Sequence, residues 1–257
     1  MVSNCLKRRD EEVANKIWNI GIDLLAFNNR GHDIANYTKK PNGEKVISGT
    51  AFEDVKDGYY DIVGAIKFAL EKGYKEIYLM GHSLGSTKVV YTYNKILEKN
   101  EDIIKNIKAV LLLSLVDIPT ALRIYLNERF PETLKYAKDM EKAGMENILM
   151  PEDSFIHPIS VKTFLKYTRD YQNIDFAKYS EKGYNFEELN NIEVPLFMRW
   201  GNVRELILQD AGELCNFLKT KISNKKLDIN YIDGANHSYK GKEEQLGSEI
   251  RNFLENL

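Results

Sequence analysis

The chain has 257 residues, 43% of them hydrophobic and 29% charged, with 36 basic against 38 acidic side chains. That length suits one large domain, or a domain carrying an insertion, and the even charge balance removes the electrostatic basis for a nucleic-acid partner. Cys5 and Cys215 are too few for a disulfide framework or a thiolate metal site, and no apolar run approaches a membrane span. With no signal-peptide core at the N-terminus either, a soluble cytoplasmic protein is expected.

In chain order, a helix is predicted over about Asp10 to Ile20, followed by a short apolar run, Ile22 to Phe27, that reads as a buried strand leaving into Asn28-Asn29-Arg30-Gly31. Residues 50–72 carry Phe52, Val55, Tyr59, Ile62, Ile66 and Ala69 at helical spacing, and Gly73 stops them. A strand over Ile77 to Met80 and a helix over Thr87 to Leu97 come next. Ile107 to Val116, nearly continuous in apolar residues, reads as a strand covered on both faces. Val194 to Trp200 and Leu227 to Ile232 are two further strands, with a helix around Asp210 to Lys221 between them. A last helix carries Leu246, Ile250, Phe253 and Leu257. This alternation predicts an α/β three-layer sandwich on a mainly parallel sheet, with residues 1–116 and 191–257 as its core. Residues 117–190 break the rhythm, with helical stretches near 119–129, 131–143 and 160–170. At more than 70 residues they are long for a crossover, and a helical cap insertion over one end of the sheet is expected.

Gly81-His82-Ser83-Leu84-Gly85 carries the chemistry. A strand directly before it and a helix directly after it make it a sharp turn that forces its central residue into a strained backbone conformation, with flanking glycines relieving clashes. The Ser83 hydroxyl then stands at a helix N-terminus, where free amides favour developing negative charge. A serine needs a base within hydrogen-bond reach. His82 can shape the turn but is badly placed to face the serine oxygen, and His32 and His157 lie elsewhere. His237 follows the last strand, beyond the carboxyl ends of the strands where sites on parallel sheets form. Glu205 is the acid expected to orient His237, with Asp117 as its competitor and Asp210 a lesser substitute. Glu205 is the first carboxylate after the strand ending at Trp200, Asp210 falls in the following helix, and Asp117 lies just beyond the strand ending at Val116.

Together these residues resemble the α/β-hydrolase superfamily over nearly the whole chain. The likeness rests on Gly81-His82-Ser83-Leu84-Gly85, the Asn28 to His32 turn, Val194-Pro195-Leu196 at the start of a strand, and Gly234-Ala235-Asn236-His237. The resemblance implies that Ser83 attacks an acyl carbonyl, that the Leu84 amide holds the oxyanion, and that the cap shapes a pocket for a small-molecule acyl substrate. No metal or organic cofactor is implied. A carboxylic ester hydrolase is the simplest reading. A hydrolase-fold protein that binds without turnover, or an amide or thioester hydrolase, is the alternative.

The chain departs from the family twice. Arg204 occupies the usual acid position, with Glu205 next to it. A further strand that normally precedes the first helix, and whose following residue gives a second oxyanion amide, has no counterpart in residues 1–9. That strand would lie between 22–27 and 77–80. Met1 is therefore expected to be internal to a longer reading frame, with Met1-Val2-Ser3-Asn4 the remnant of the oxyanion loop. The alternative is a truncation in which the two neighbouring strands pair directly, or a partner chain fills the gap.

Overall fold

A computed structural model of the chain describes residues 8–168, 176–179, 181, 183–203 and 205–257. Helix α1 (Arg8–Trp18) carries Asp10 and Glu11 in its first turn, where carboxylates favour a helix dipole, and buries Val13 and Ile17 one turn apart. A hairpin, β1 (Asn36–Lys39) and β2 (Lys45–Ser48), follows in antiparallel register, and α2 (Gly58–Glu71) leads into the main sheet. That sheet consists of β3 (Ile77–His82), β4 (Ile107–Leu113), β5 (Leu196–Val203) and β6 (Leu227–Asn236), all parallel, in that spatial order. The crossovers are helical. They include α3 (Leu84–Glu98) after β3, and three helices after β4: α4 (Ile118–Leu126), α5 (Phe130–Lys142) and α6 (Val161–Lys166). After these come α7 (Glu187–Asn190), α8 (Ala211–Lys221) between β5 and β6, and α9 (Glu243–Glu255) to finish.

The pleat of β4 explains its unbroken apolar run. Ala109, Leu111 and Leu113 face Val13 and Ile17 of α1 and Leu246, Ile250 and Leu254 of α9. Val110 and Leu112 face the opposite layer, with Ile62 and Ile66 of α2, Val89 and Tyr93 of α3, and Leu214 and Leu218 of α8. A strand buried on both faces has no solvent side on which to place polar residues. The expected α/β three-layer arrangement on a parallel sheet is what the chain adopts.

Boundaries moved where local chemistry overrode periodicity. The helix expected over 50–72 begins at Gly58, because Asp54 caps a short 3-10 turn, Val55–Asp57, by accepting from the Lys56 amide. Asp210 sits outside α8 as its cap, accepting from the amides of Gly212 and Glu213. The hairpin β1–β2 was not anticipated, although Pro41-Asn42-Gly43 between two β-branched stretches is a turn signal. The larger correction concerns residues 22–27, expected as a buried strand. They alternate half-buried with exposed positions, leave Leu25 and Phe27 exposed, and pair with no strand among the described residues. The reason is spatial: a cavity of about 950 Å³ separates them from β3, lined by Ile22 to Phe27 on one side and Ile77 to His82 on the other. The two segments therefore do not pair directly.

Within residues 117–190, α4, α5 and α6 bury their own cluster, including Leu122, Leu126, Phe130, Ala137, Phe164 and Leu165, with Leu84 and Leu206 at its margin. Phe176, Tyr179, Phe186 and Leu189 of the same stretch pack instead into the layer containing α2, α3 and α8.

One buried ion pair ties α3 to the loop before α2. The Lys88 ammonium meets the Glu53 carboxylate, both almost fully buried, and also donates to Asn29 Oδ1 at 3.1 Å. Replacing Lys88 by methionine strands a buried carboxylate, which should cost about 3–5 kcal/mol. The urea midpoint of unfolding reads this directly, and a midpoint within experimental error of the parent chain would contradict it.

Candidate active site

Ser83 lies between β3 and α3 with φ 56° and ψ −125°, a conformation that L residues seldom take. Gly81 makes the turn possible, since a Cβ there would stand 2.4 Å from the Gly85 carbonyl oxygen. The second glycine does not serve the same purpose, because a Cβ on Gly85 would meet nothing within 4 Å. The turn is anchored from β4: the Ser83 amide donates to the Leu113 carbonyl at 2.8 Å, and the Ser86 hydroxyl donates to the Gly81 carbonyl. The Leu84 N–H is the first amide of α3 and has no acceptor within the helix.

His237 directly follows β6. Its Nε2 is 2.9 Å from Ser83 Oγ, and its Nδ1 is 2.7 Å from Glu205 Oε2. Gly201 brings the two loops together, since β5 and β6 approach so closely there that a Cβ would lie 2.2 Å from the Ala235 carbonyl oxygen. The ladder shifts register between Gly201 and Val203, and this turns the chain toward His237.

Glu205 is held as firmly as His237. Its Oε1 accepts from the Gly201 amide at 2.9 Å and from the Ser114 hydroxyl at 2.7 Å. Burial pushes this carboxyl upward, but the bond and charge of His237, with the Gly201 and Ser114 donors, outweigh it and hold Glu205 below its ordinary 4.5. Ser114 sits just past β4 with φ 46°, which aims its side chain across the sheet end. Beside it the buried Tyr239 hydroxyl donates to the Arg199 carbonyl at 2.8 Å.

The structure brings Glu205, the expected acid, to His237, and not its competitors. Asp117 is engaged as the cap of α4, accepting from the Thr120 amide at 2.9 Å, and Asp210 caps α8. His82 Nε2 donates to the His237 carbonyl at 2.6 Å, so it braces the histidine loop instead of facing Ser83. His32 bonds the Asn29 carbonyl, and His157 bonds the Pro158 carbonyl. Sequence reasoning missed Ser114 and the His82 contact, both made between residues more than ninety positions apart in the chain. Arg204, Met1 to Asn4 and Cys5 lie outside the described residues. Among the described residues, no three His, Cys, Asp or Glu side chains converge so as to hold a metal ion, and no helix is long and apolar enough to cross a membrane.

The role of Ser114 is testable. Ser114→Ala removes one charge-assisted donor, worth about 1.5–3 kcal/mol, from the Glu205 carboxylate. The Glu205 pKa should rise, so the titration profile of its carboxylate, read by NMR, should move to higher pH. An unchanged profile would show that Ser114 does not hold Glu205.

No known family's sequence profile matches the chain, and no curated protein sequence matches it. Solved structures do. The esterase Est1E from Butyrivibrio proteoclasticus superposes with a TM-score of 0.55 over 100% of this chain and 84% of its own, at 13% identity. The esterase EaEST from Exiguobacterium antarcticum gives 0.57 over 98% of this chain and 88% of its own, at 14% identity. Mouse alpha/beta hydrolase domain-containing protein 10 gives 0.55 over 100% and 87%, at 12% identity. The architecture is therefore the α/β-hydrolase fold.

Proposed function

We propose that this chain, an α/β-hydrolase by fold, is a serine hydrolase that cleaves acyl esters through Ser83, His237 and Glu205. The observation that carries the reading is the unbroken relay from Ser83 Oγ through both ring nitrogens of His237 to Glu205 Oε2. As Ser83 Oγ attacks the acyl carbon, its proton passes to His237 Nε2, and Glu205 stabilises the imidazolium that forms. The carbonyl oxygen gains negative charge beside the Leu84 amide at the N-terminus of α3. His237 then returns the proton to the departing alcohol, leaving an acyl-Ser83 ester. Water deprotonated by the same nitrogen attacks that ester and releases the acid, restoring the serine.

Residues 117–190 serve as the cap in this reading, supported by the position of Leu84 and Leu206 at the edge of their apolar cluster. Phe130, Phe164 and Tyr167 are buried within that cluster, where they hold the helices together.

A fluorophosphonate probe tests the proposal, because only an activated serine reacts rapidly with it. The expected result is a single adduct on Ser83, blocked by a saturating p-nitrophenyl ester. Folded protein that neither labels nor turns over short esters, thioesters or anilides would replace this reading with that of a hydrolase-fold binding protein.

A further inference from the structure

The hairpin of β1 and β2 reverses the usual polarity of a surface ribbon. Alternation along each strand gives it an inner and an outer face. The inner face carries Asn36, Thr38, Val46 and Ser48, all buried or half-buried. Its polar groups bond one another: the Thr38 and Ser48 hydroxyls meet at 2.7 Å, the Ser48 hydroxyl is bonded to Asn36 Oδ1, and the Asn36 side-chain amide donates to the His32 carbonyl at 2.6 Å. The outer face carries Tyr37 and Ile47 as directly opposed partners, 71% and 56% exposed, followed by Lys39 opposite Lys45. A ribbon with one covered face ordinarily turns its apolar residues inward and its polar ones out. Here the polar residues are satisfied inside and the apolar pair faces out.

The base of the ribbon is firmly held. The Gly49, Thr50 and Ala51 amides donate to the Arg30, Asp33 and Ile34 carbonyls at 2.9, 2.8 and 3.0 Å. Gly49 passes so close to Ile34 that a Cβ would stand 2.7 Å from its carbonyl oxygen. Beyond the base the ribbon reaches into solvent, every residue from Lys39 to Lys45 being exposed. Lys40 is paired with Glu44 at 2.9 Å, whereas Lys39 and Lys45 form no ion pair among the described residues. Two ammonium groups directly opposite each other repel, and an anionic surface shared by both turns that cost into attraction.

We propose that the outer face of this hairpin is a docking surface for an anionic phospholipid bilayer. Tyr37 sits at the boundary, where its ring is in an apolar layer and its hydroxyl stays wet. Ile47 beside it enters the first part of the acyl layer, and Lys39 and Lys45 meet headgroup phosphates. A bilayer fits this face better than a protein does. Each strand is 4 residues long. Strands ~4.8 Å apart with a rise of ~3.4 Å per residue present only a small part of the roughly 800 Å² per partner that a stable protein contact buries. A lipid surface asks for no matching shape, only apolar tips beside positive charge.

The test is sedimentation of the full chain with vesicles of ether-linked phosphatidylcholine, alone or mixed with an equal amount of ether-linked phosphatidylglycerol. These lipids hold no acyl ester, so the result stands apart from the hydrolase reading. The mixed vesicles should bind the chain at least tenfold more tightly than the neutral ones. Lys39→Gln with Lys45→Gln should weaken that binding about 25-fold, roughly fivefold per lysine. Tyr37→Ser with Ile47→Ser keeps the charge and should weaken it at least tenfold. Lys225→Gln with Lys226→Gln removes the same charge from another exposed site and should leave binding within twofold. All four hairpin side chains point outward, so the thermal midpoint should hold in both hairpin variants. Three results would each overturn the proposal: no sedimentation with millimolar mixed lipid, which returns the face to a protein partner or to bare solvent; equal weakening by the Lys225 and Lys226 pair; or undiminished binding by the serine pair. A dimer in lipid-free solution that the serine pair dissociates would assign the face to a second copy of the chain and overturn it as well.

Discussion

Ser83→Ala should lower kcat for p-nitrophenyl ester hydrolysis by a factor on the order of 10⁴–10⁶ and abolish fluorophosphonate labelling. In the proposed mechanism the hydroxyl supplies both the attacking oxygen and the proton that His237 takes up. Without it the site retains only the electrostatics of the Leu84 amide and whatever binding the pocket provides, which elsewhere account for a residual 10³–10⁴ over water. The substitution removes one oxygen and leaves the turn in place, so circular dichroism and thermal midpoint should change little. A variant that keeps a tenth of the parent activity would show that the observed hydrolysis has another source.

Glu205→Gln should be nearly as damaging for a subtler reason. Two donors, the Gly201 amide and the Ser114 hydroxyl, converge on Oε1. A glutamine must therefore place its oxygen at that position, which turns its NH₂ toward His237 Nδ1. That nitrogen is then forced to accept, the ring proton moves to Nε2, and Nε2 can no longer take the proton of Ser83. A loss of about 10⁴ in kcat is expected, as for other relays locked in the wrong tautomer. Stability should respond as well. A carboxyl held below its ordinary 4.5 contributes stability that is complete above that value and lost as pH falls through its lowered one. As pH falls below 4.5 the parent chain should lose stability more steeply than Glu205→Gln. Parallel stability curves, or retained activity in the variant, would remove Glu205 from the relay.

What the sequence disclosed follows from the range of the forces involved. The turn at Ser83 is local: Gly81, the preceding apolar strand and the following helix lie within a few residues, and all three are visible in the string of letters. The strands of the sheet were visible because burial on both faces leaves a continuous apolar signature, as in Ala109 to Leu113. His237 was found by its place after a strand, and Glu205 as the first acid after another, with Asp117 still in competition. Choosing among these needed the β5–β6 contact at Gly201, which depends on two segments more than thirty residues apart. Ser114 gave no sign of its function, because a serine after a strand resembles any other until its positive φ is known. The error at 22–27 has the same origin. An apolar hexapeptide states that it can be a strand, but not whether a neighbour stands at pairing distance.

The backbone of Ser83 sets chemistry against endurance. Holding a non-glycine residue at φ 56° and ψ −125° costs on the order of 1–3 kcal/mol, a noticeable share of what a domain of this size has in reserve. Glycine would adopt that conformation freely, so Ser83→Gly should yield a chain that survives heating better and does nothing. Any screen that rewards heat resistance without assaying turnover would thus select against the proposed nucleophile.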